Sequence, residues 1–105
     1  MVIYSVSVRI KKDVEEEWLR WMKENHIPAV LSTKYFKNCE MYKVLIPEAE
    51  ESVAMYKMNY FGDTVENYLD YQKYDAAKLQ AAHNTKYQGK FTASREVMEN
   101  ICNIK

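Results

Sequence analysis

Val2-Ile3-Tyr4-Ser5-Val6-Ser7-Val8-Arg9-Ile10 alternates, with Ile3 the one apolar residue out of phase. Val2, Tyr4, Val6, Val8 and Ile10 fall on one face, and Ser5, Ser7 and Arg9 on the other. A period of two rich in β-branched residues predicts a half-buried strand. The period then changes. Asp13 stands three residues before Glu16, the spacing of a capping box, and Val14, Trp18, Trp21 and Met22 recur at helical spacing. The pattern predicts a helix over 13–25 that ends before Pro28, because the residue ahead of a proline avoids the α region. His26-Ile27-Pro28-Ala29-Val30-Leu31-Ser32-Thr33 is expected to form a short helical turn across one end of the sheet, with Pro28 suited to a first helical turn.

Further along, residues 35–46 and 52–61 predict two strands joined through the Pro47-Glu48-Ala49-Glu50-Glu51 turn, an antiparallel hairpin. Asp63 stands three residues before Glu66, a second capping-box spacing. Val65, Leu69, Gln72, Ala76, Leu79 and His83 then follow one stripe and predict a single helix over 63–85. Gly89 marks its stop or the turn into a last strand over 90–99, and the tail 100–105 is expected to fray. The order β-α-β-β-α-β predicts an α+β, ferredoxin-like domain spanning 1–105: a four-stranded antiparallel sheet with two helices on one face.

Composition narrows the function classes. Among 105 residues, Lys plus Arg is 15 and Asp plus Glu is 15, so the net charge is zero. A neutral domain lacks the footprint of a phosphate-backbone binder, and no nucleic-acid partner is expected. Tyr56-Lys57-Met58-Asn59-Tyr60-Phe61 also lacks the glycines of an RNA-binding sheet motif. Two glycines in the whole chain leave no Gly-rich phosphate loop. No apolar run approaches the roughly 20 residues of a membrane span, so no membrane partner is expected. The N-terminal stretch has neither the basic region nor the apolar run of a signal peptide. Cys39 and Cys102 are therefore expected to be reduced and mostly buried, in a cytoplasmic protein.

The helices cover one face of such a sheet, and the other face should be polar in a monomer. Here Cys39, Met41 and Leu45 alternate with Tyr42, Val44 and Ile46, and Tyr56, Met58 and Tyr60 with Val53, Met55 and Phe61. Large apolar groups on both faces predict a homodimer whose sheets pack face to face.

Several residues are candidates for a site. His26 is either a base or ligand-orienting donor at a pocket rim, or a helix C-terminal residue bonding the last carbonyls. His83, on the apolar stripe, reads as a core or interface histidine with a satisfied hydrogen bond. Arg95, between Phe91, Ala93 and Val97, needs a carboxylate, supplied either by a ligand or by a Glu across the dimer. Tyr4, Tyr42, Tyr56 and Tyr60 could line a cleft, since tyrosine offers apolar area with one polar tip. Trp18 and Trp21 read as core. No H-x-x-x-H, C-x-x-C or E-x-x-H spacing supports a metal, and no cofactor is expected. Neither a catalytic triad order nor an activated thiol is present, Cys39 having only Glu40 beside it.

Trp18-Leu19-Arg20-Trp21-Met22, His26-Ile27-Pro28-Ala29-Val30-Leu31, Thr33 and Phe36 together resemble an uncharacterised bacterial family of roughly 100-residue proteins. It is a domain-of-unknown-function family of the dimeric α/β-barrel, ferredoxin-like group. The likeness spans Val2 to Met98, with Tyr4, Tyr60, Tyr68, Leu79, His83, Phe91 and Arg95 at other matching positions. Lys34 and Tyr35 depart from it, standing where a small residue or glycine is expected before the second strand. The broader group includes cofactor-free monooxygenases, muconolactone-type isomerases, dehalogenation enzymes and stress-response domains, among which a fold does not choose. The resemblance implies dimerisation and a pocket beside the sheet. The expectation is a homodimer binding a small hydrophobic or aromatic molecule near His26, Tyr56, Tyr60, His83 and Arg95. The alternative is a cofactor-independent monooxygenase- or isomerase-like enzyme with His26 as base and Arg95 holding an anionic group.

Overall fold

A computed structural model describes all residues 1–105. The strands are β1 (Val2–Lys11), β2 (Asn38–Lys43), β3 (Val53–Gly62) and β4 (Phe91–Glu99). They form one antiparallel sheet in the order β2-β3-β1-β4. The helices are α1 (Glu15–Trp21), α2 (Ile27–Ser32), α3 (Val65–Tyr74) and α4 (Ala76–Lys86). This is the ferredoxin-like arrangement expected from the element order, a two-layer slab of 37 × 36 × 20 Å. Its radius of gyration, 14.1 Å, exceeds the roughly 13 Å of a compact 100-residue domain, as suits a sheet covered on one side. No helix is long and apolar enough to cross a membrane.

The alternation in β1 is realised directly. Val2, Tyr4, Val8 and Ile10 are buried under the helices, and Tyr56, Met58 and Tyr60 of β3 join them. Tyr4 lies opposite Tyr60, and their rings stack with centroids 5.7 Å apart. The other face runs in rows across the sheet. Phe61, Ile3 and Met98 make an apolar row, followed by Asn59, Ser5 and Glu96, then Lys57, Ser7 and Ser94, then Met55, Arg9 and Thr92. That face is more polar at its centre than the sequence suggests. β2 is shorter than 35–46, and Leu45 and Ile46 lie beyond it, 70% and 89% exposed.

The first helical stretch does not stop before Pro28. A 3₁₀ turn at Lys12–Val14 leads into α1, a π-helical turn over Met22–His26 follows, and α2 runs on from it. Ile27, just ahead of Pro28, is helical at φ −61°, ψ −46°. Pro28 lies in the first turn of α2. A wide π turn already interrupts the regular hydrogen-bond ladder, so a residue without an N–H is tolerated there. Asp13 caps nothing and pairs instead with Lys90 Nζ at 2.7 Å.

The second helical stretch is two helices, broken at Asp75 (φ −127°, ψ −26°). The break resets the buried face. Tyr71 is buried on α3, whereas Val65 and Leu69 of the anticipated stripe are exposed. The capping box lies one residue later than expected, formed by Thr64 and Asn67. The Thr64 amide donates to Asn67 Oδ1 at 3.2 Å, while Asp63 pairs with Lys37. Lys34 takes φ +72°, a conformation that favours glycine, which accounts for the small residue expected there. Gly89 (φ +76°) makes the turn into β4. Both cysteines are free, but only Cys39 is partly buried, and Cys102 is exposed in the tail.

The shifted cap gives a direct test. Thr64→Ala should lower unfolding stability by about 1 kcal/mol. Asp63→Ala removes only an exposed ion pair and should cost less than about 0.5 kcal/mol. Urea denaturation of the two variants separates the assignments.

Candidate functional site

The sheet and its helices enclose a cavity of about 30 Å³. Its floor is built by register: Arg95 lies opposite Val6, Ala93 opposite Val8, and Tyr60 opposite Tyr4, all on the helix-covered face. Its roof comes from both helical stretches. The π turn supplies Met22 and His26, and α4 supplies Gln80 and His83, one turn apart on one face. No Asp or Glu lines it.

His83 is the pivot of the roof. The Trp18 indole Nε1–H donates to His83 Nε2 at 2.9 Å. An indole only donates, so Nε2 carries no proton and the neutral ring is protonated on Nδ1. Trp18 is fully buried and His83 is 6% exposed. Phe91 meets the His83 ring edge-to-face at 4.5 Å. Burial lowers the His83 pKa, with the Arg95 charge adding to the shift. His26 stacks on Trp21 at 5.3 Å and lies 5.7 Å from His83. Burial first, then His83 and Arg95, push the His26 pKa down to about 4. Both imidazoles are neutral at pH 7.

Arg95 takes part in none of the chain's four ion pairs: Arg9–Glu50, Lys37–Asp63, Lys43–Glu15 and Lys90–Asp13. It points to the helix side, so a Glu of a second sheet packed on the opposite face would not meet it. Its charge and the Gln80 side chain act on the Tyr4 hydroxyl, opposing the burial that raises the Tyr4 pKa.

Four of the five anticipated residues thus converge: His26, Tyr60, His83 and Arg95. His83 is also the bonded core histidine read from the sequence. Tyr56 stands apart. It packs against Trp18 at 5.2 Å, and its hydroxyl donates to Glu15 Oε2 at 2.5 Å, an oxygen that Lys43 also approaches at 3.4 Å. Tyr42 is on the outer face, 49% exposed. His26 caps no helix end, because the helical path runs through it. Gln80, Tyr71 and Met22 also line the cavity, although the sequence marks Met22 only as a helix-stripe residue and leaves the other two off the stripes. Gln80 carries a signal, standing three residues before His83, but in an unbroken helix the stripe runs through Gln72 instead. No group of three or more His, Cys, Asp or Glu side chains comes together. Cys39 is pushed up to about 12 by burial, so its thiol is protonated.

A family model described as a domain of unknown function (DUF4286) matches residues 1–101. No curated protein matches the chain. Among solved structures, a protein of Arabidopsis thaliana superposes with a TM-score of 0.72 at 12% identity, covering 100% of both chains. A dimeric ferredoxin-like protein from an uncultured marine organism gives 0.69 at 14%, covering 100% of this chain and 99% of that one. An ethyl tert-butyl ether D family protein of Bacillus halodurans gives 0.66 at 14%, covering 96% and 100%. At these identities the likeness is one of fold.

Two outcomes are expected. Trp18→Phe leaves a buried His83 nitrogen without its donor and should cost about 1–3 kcal/mol in urea unfolding. The lowered His26 pKa sets a pH dependence. Below about pH 6.5 the unfolded chain takes up a proton that the folded chain refuses until about pH 4. Stability therefore falls across that window, by up to a few kcal/mol from this group. Asp13 and Glu15, both held below their ordinary values by hydrogen-bonded partners, lose their contributions at its acid end and below. Denaturation midpoints from pH 7 to 4.5 should drop less steeply for His26→Gln than for the parent.

Proposed function

The chain belongs to the DUF4286 family, a domain of unknown function, and we propose that it is a small cytoplasmic homodimer binding a hydrophobic or aromatic molecule in the cavity between sheet and helices. The carrying observation is that the cavity gathers His26, Tyr60, His83 and Arg95 among mostly apolar walls. Apolar pockets with a few convergent polar groups are the usual form of small-molecule sites. The π turn at its roof supports the reading, since such insertions recur at functional sites. At about 30 Å³ the space holds only about two waters, at roughly 10–15 Å³ each. A ring therefore has to displace side chains. Met22 and Met58, which both line the space, are the adaptable ones.

The outer sheet face supports the dimer. The Ile3–Phe61–Met98 row, with Met55 at the far end of β3, presents apolar area on a slab whose helices cover only the other side. Packing two such faces together would leave the cavities on opposite outer layers. Chemistry is not assigned to His26. An imidazole held at about 4 is unprotonated at neutral pH but is a weak base.

Native mass spectrometry of the parent chain should report a dimer, and Phe61→Asp should report a monomer. A monomeric parent would overturn the homodimer. Small aromatic molecules should change the fluorescence of Trp18 and Trp21, which pack around His83. A flat response across a panel of them would overturn the ligand site.

A further inference from the structure

We propose that the cavity receives the carboxylate of a monocarboxylic acid with an apolar body, and that Arg95 is the anchoring cation. This rests on the ligand-binding reading above and names the ligand's charged end.

Charge balance is the first argument. Arg95 is the only charged side chain lining the cavity, and no Asp or Glu lines it. None of the chain's ion pairs uses the guanidinium, so no carboxylate of the chain neutralises the one charge at the edge of these mostly apolar walls. Polar groups in such surroundings need partners, and a guanidinium offers a fork of donors that matches two carboxylate oxygens. His26 and His83 stay neutral and supply no competing charge.

Position is the second argument. β4 is an edge strand of the sheet, and Arg95 on it is exposed while its side chain reaches the helix face opposite Val6. The guanidinium therefore stands at the rim, between solvent and the enclosed space. A carboxylate arriving along the β4 edge meets it first. The Tyr4 hydroxyl and the Gln80 amide, close to one another and to Arg95, add neutral donors.

Size is the third argument. The roughly 30 Å³ of free space suits the two oxygens of a carboxylate and leaves the body of the ligand toward Met22 and Met58 or out past the rim.

Benzoate and its uncharged counterpart benzamide serve as probes, titrated into the full chain with tryptophan fluorescence as the readout. The parent should bind benzoate at least about tenfold more tightly than benzamide, as expected for a charge-assisted pair. Arg95→Met should bind the two equally. Arg95→Lys, which keeps the charge without the fork, should fall between them. Arg95 has no ion pair to lose, so the urea midpoint of Arg95→Met should stay near the parent's, and Arg95→Lys carries the test if it does not. Benzamide binding as tightly as benzoate would keep the ligand site and overturn the carboxylate. A benzoate preference that persists in Arg95→Met would overturn Arg95 as the anchor. Binding of neither probe would overturn the ligand-binding reading and this inference together.

Discussion

The two helical stretches are joined above the sheet through one buried polar contact, the Trp18 indole donating to His83 Nε2. A donor and an acceptor removed from water this far must find each other, or the fold loses the desolvation energy of both. Because Trp18 is on α1 and His83 on α4, the bond sets the lateral position of the two helical stretches over β1 and β3. It also fixes the His83 tautomer and keeps that ring neutral. The aromatic groups around it, Trp21, Tyr87 and Phe91, pack at centroid distances of 4.5–5.9 Å from His83. The cavity is what remains on the sheet side of this cluster.

Neither helical stretch above the cavity is regular. Met22, His26 and Val30 reach the same space from successive turns, the first two at the ends of the π turn over Met22–His26. The break at Asp75 does the corresponding thing on the other side. It lets Tyr71 pack down on Tyr4 and Phe36, at 5.7 and 5.2 Å, while α4 swings Gln80 and His83 over β1 and β4. Regular secondary structure supplies the stability, and the two irregular points supply the site.

This division explains what was legible in the sequence. Strands were legible because alternation is local: the faces of β1 and β3 follow from residue identity alone, and β1 fixes the sheet's centre. His83 as a bonded core histidine was legible for the same reason, a polar residue on an apolar stripe. The helix ends were not. The rule that ended the first helix before Pro28 is a preference of isolated dipeptides, and tertiary packing overrode it through the π turn. The break at Asp75 carries no glycine or proline to announce it, so the residue pattern alone puts Val65 and Leu69 inside and leaves Tyr71 and Gln80 off the stripe. Tyr56 was grouped with Tyr60 because both share a strand face. Three residues of strand separate them along β3, and that distance carries Tyr56 to Glu15 instead of the cavity.

Arg95 shows how far register decides function. On a two-residue period, moving β4 by one position against β1 would turn Arg95 to the outer face and bring Ser94 or Glu96 to the cavity. An acidic residue in place of a basic one would invert the charge of the space. The neighbouring pairings oppose such a slip. On the outer face, Ser5 Oγ donates to Asn59 Oδ1 at 2.7 Å, and Arg9 reaches both Met55 Sδ and Glu50, which ties β1 to β3 at two heights. β4 is then held at both ends of β1, by the Lys11 amide to the Lys90 carbonyl and by the Asn100 amide to the Met1 carbonyl. Polar contacts on the face that is not the site therefore keep the one cation in the site, and β1 links the two because its successive side chains serve opposite faces.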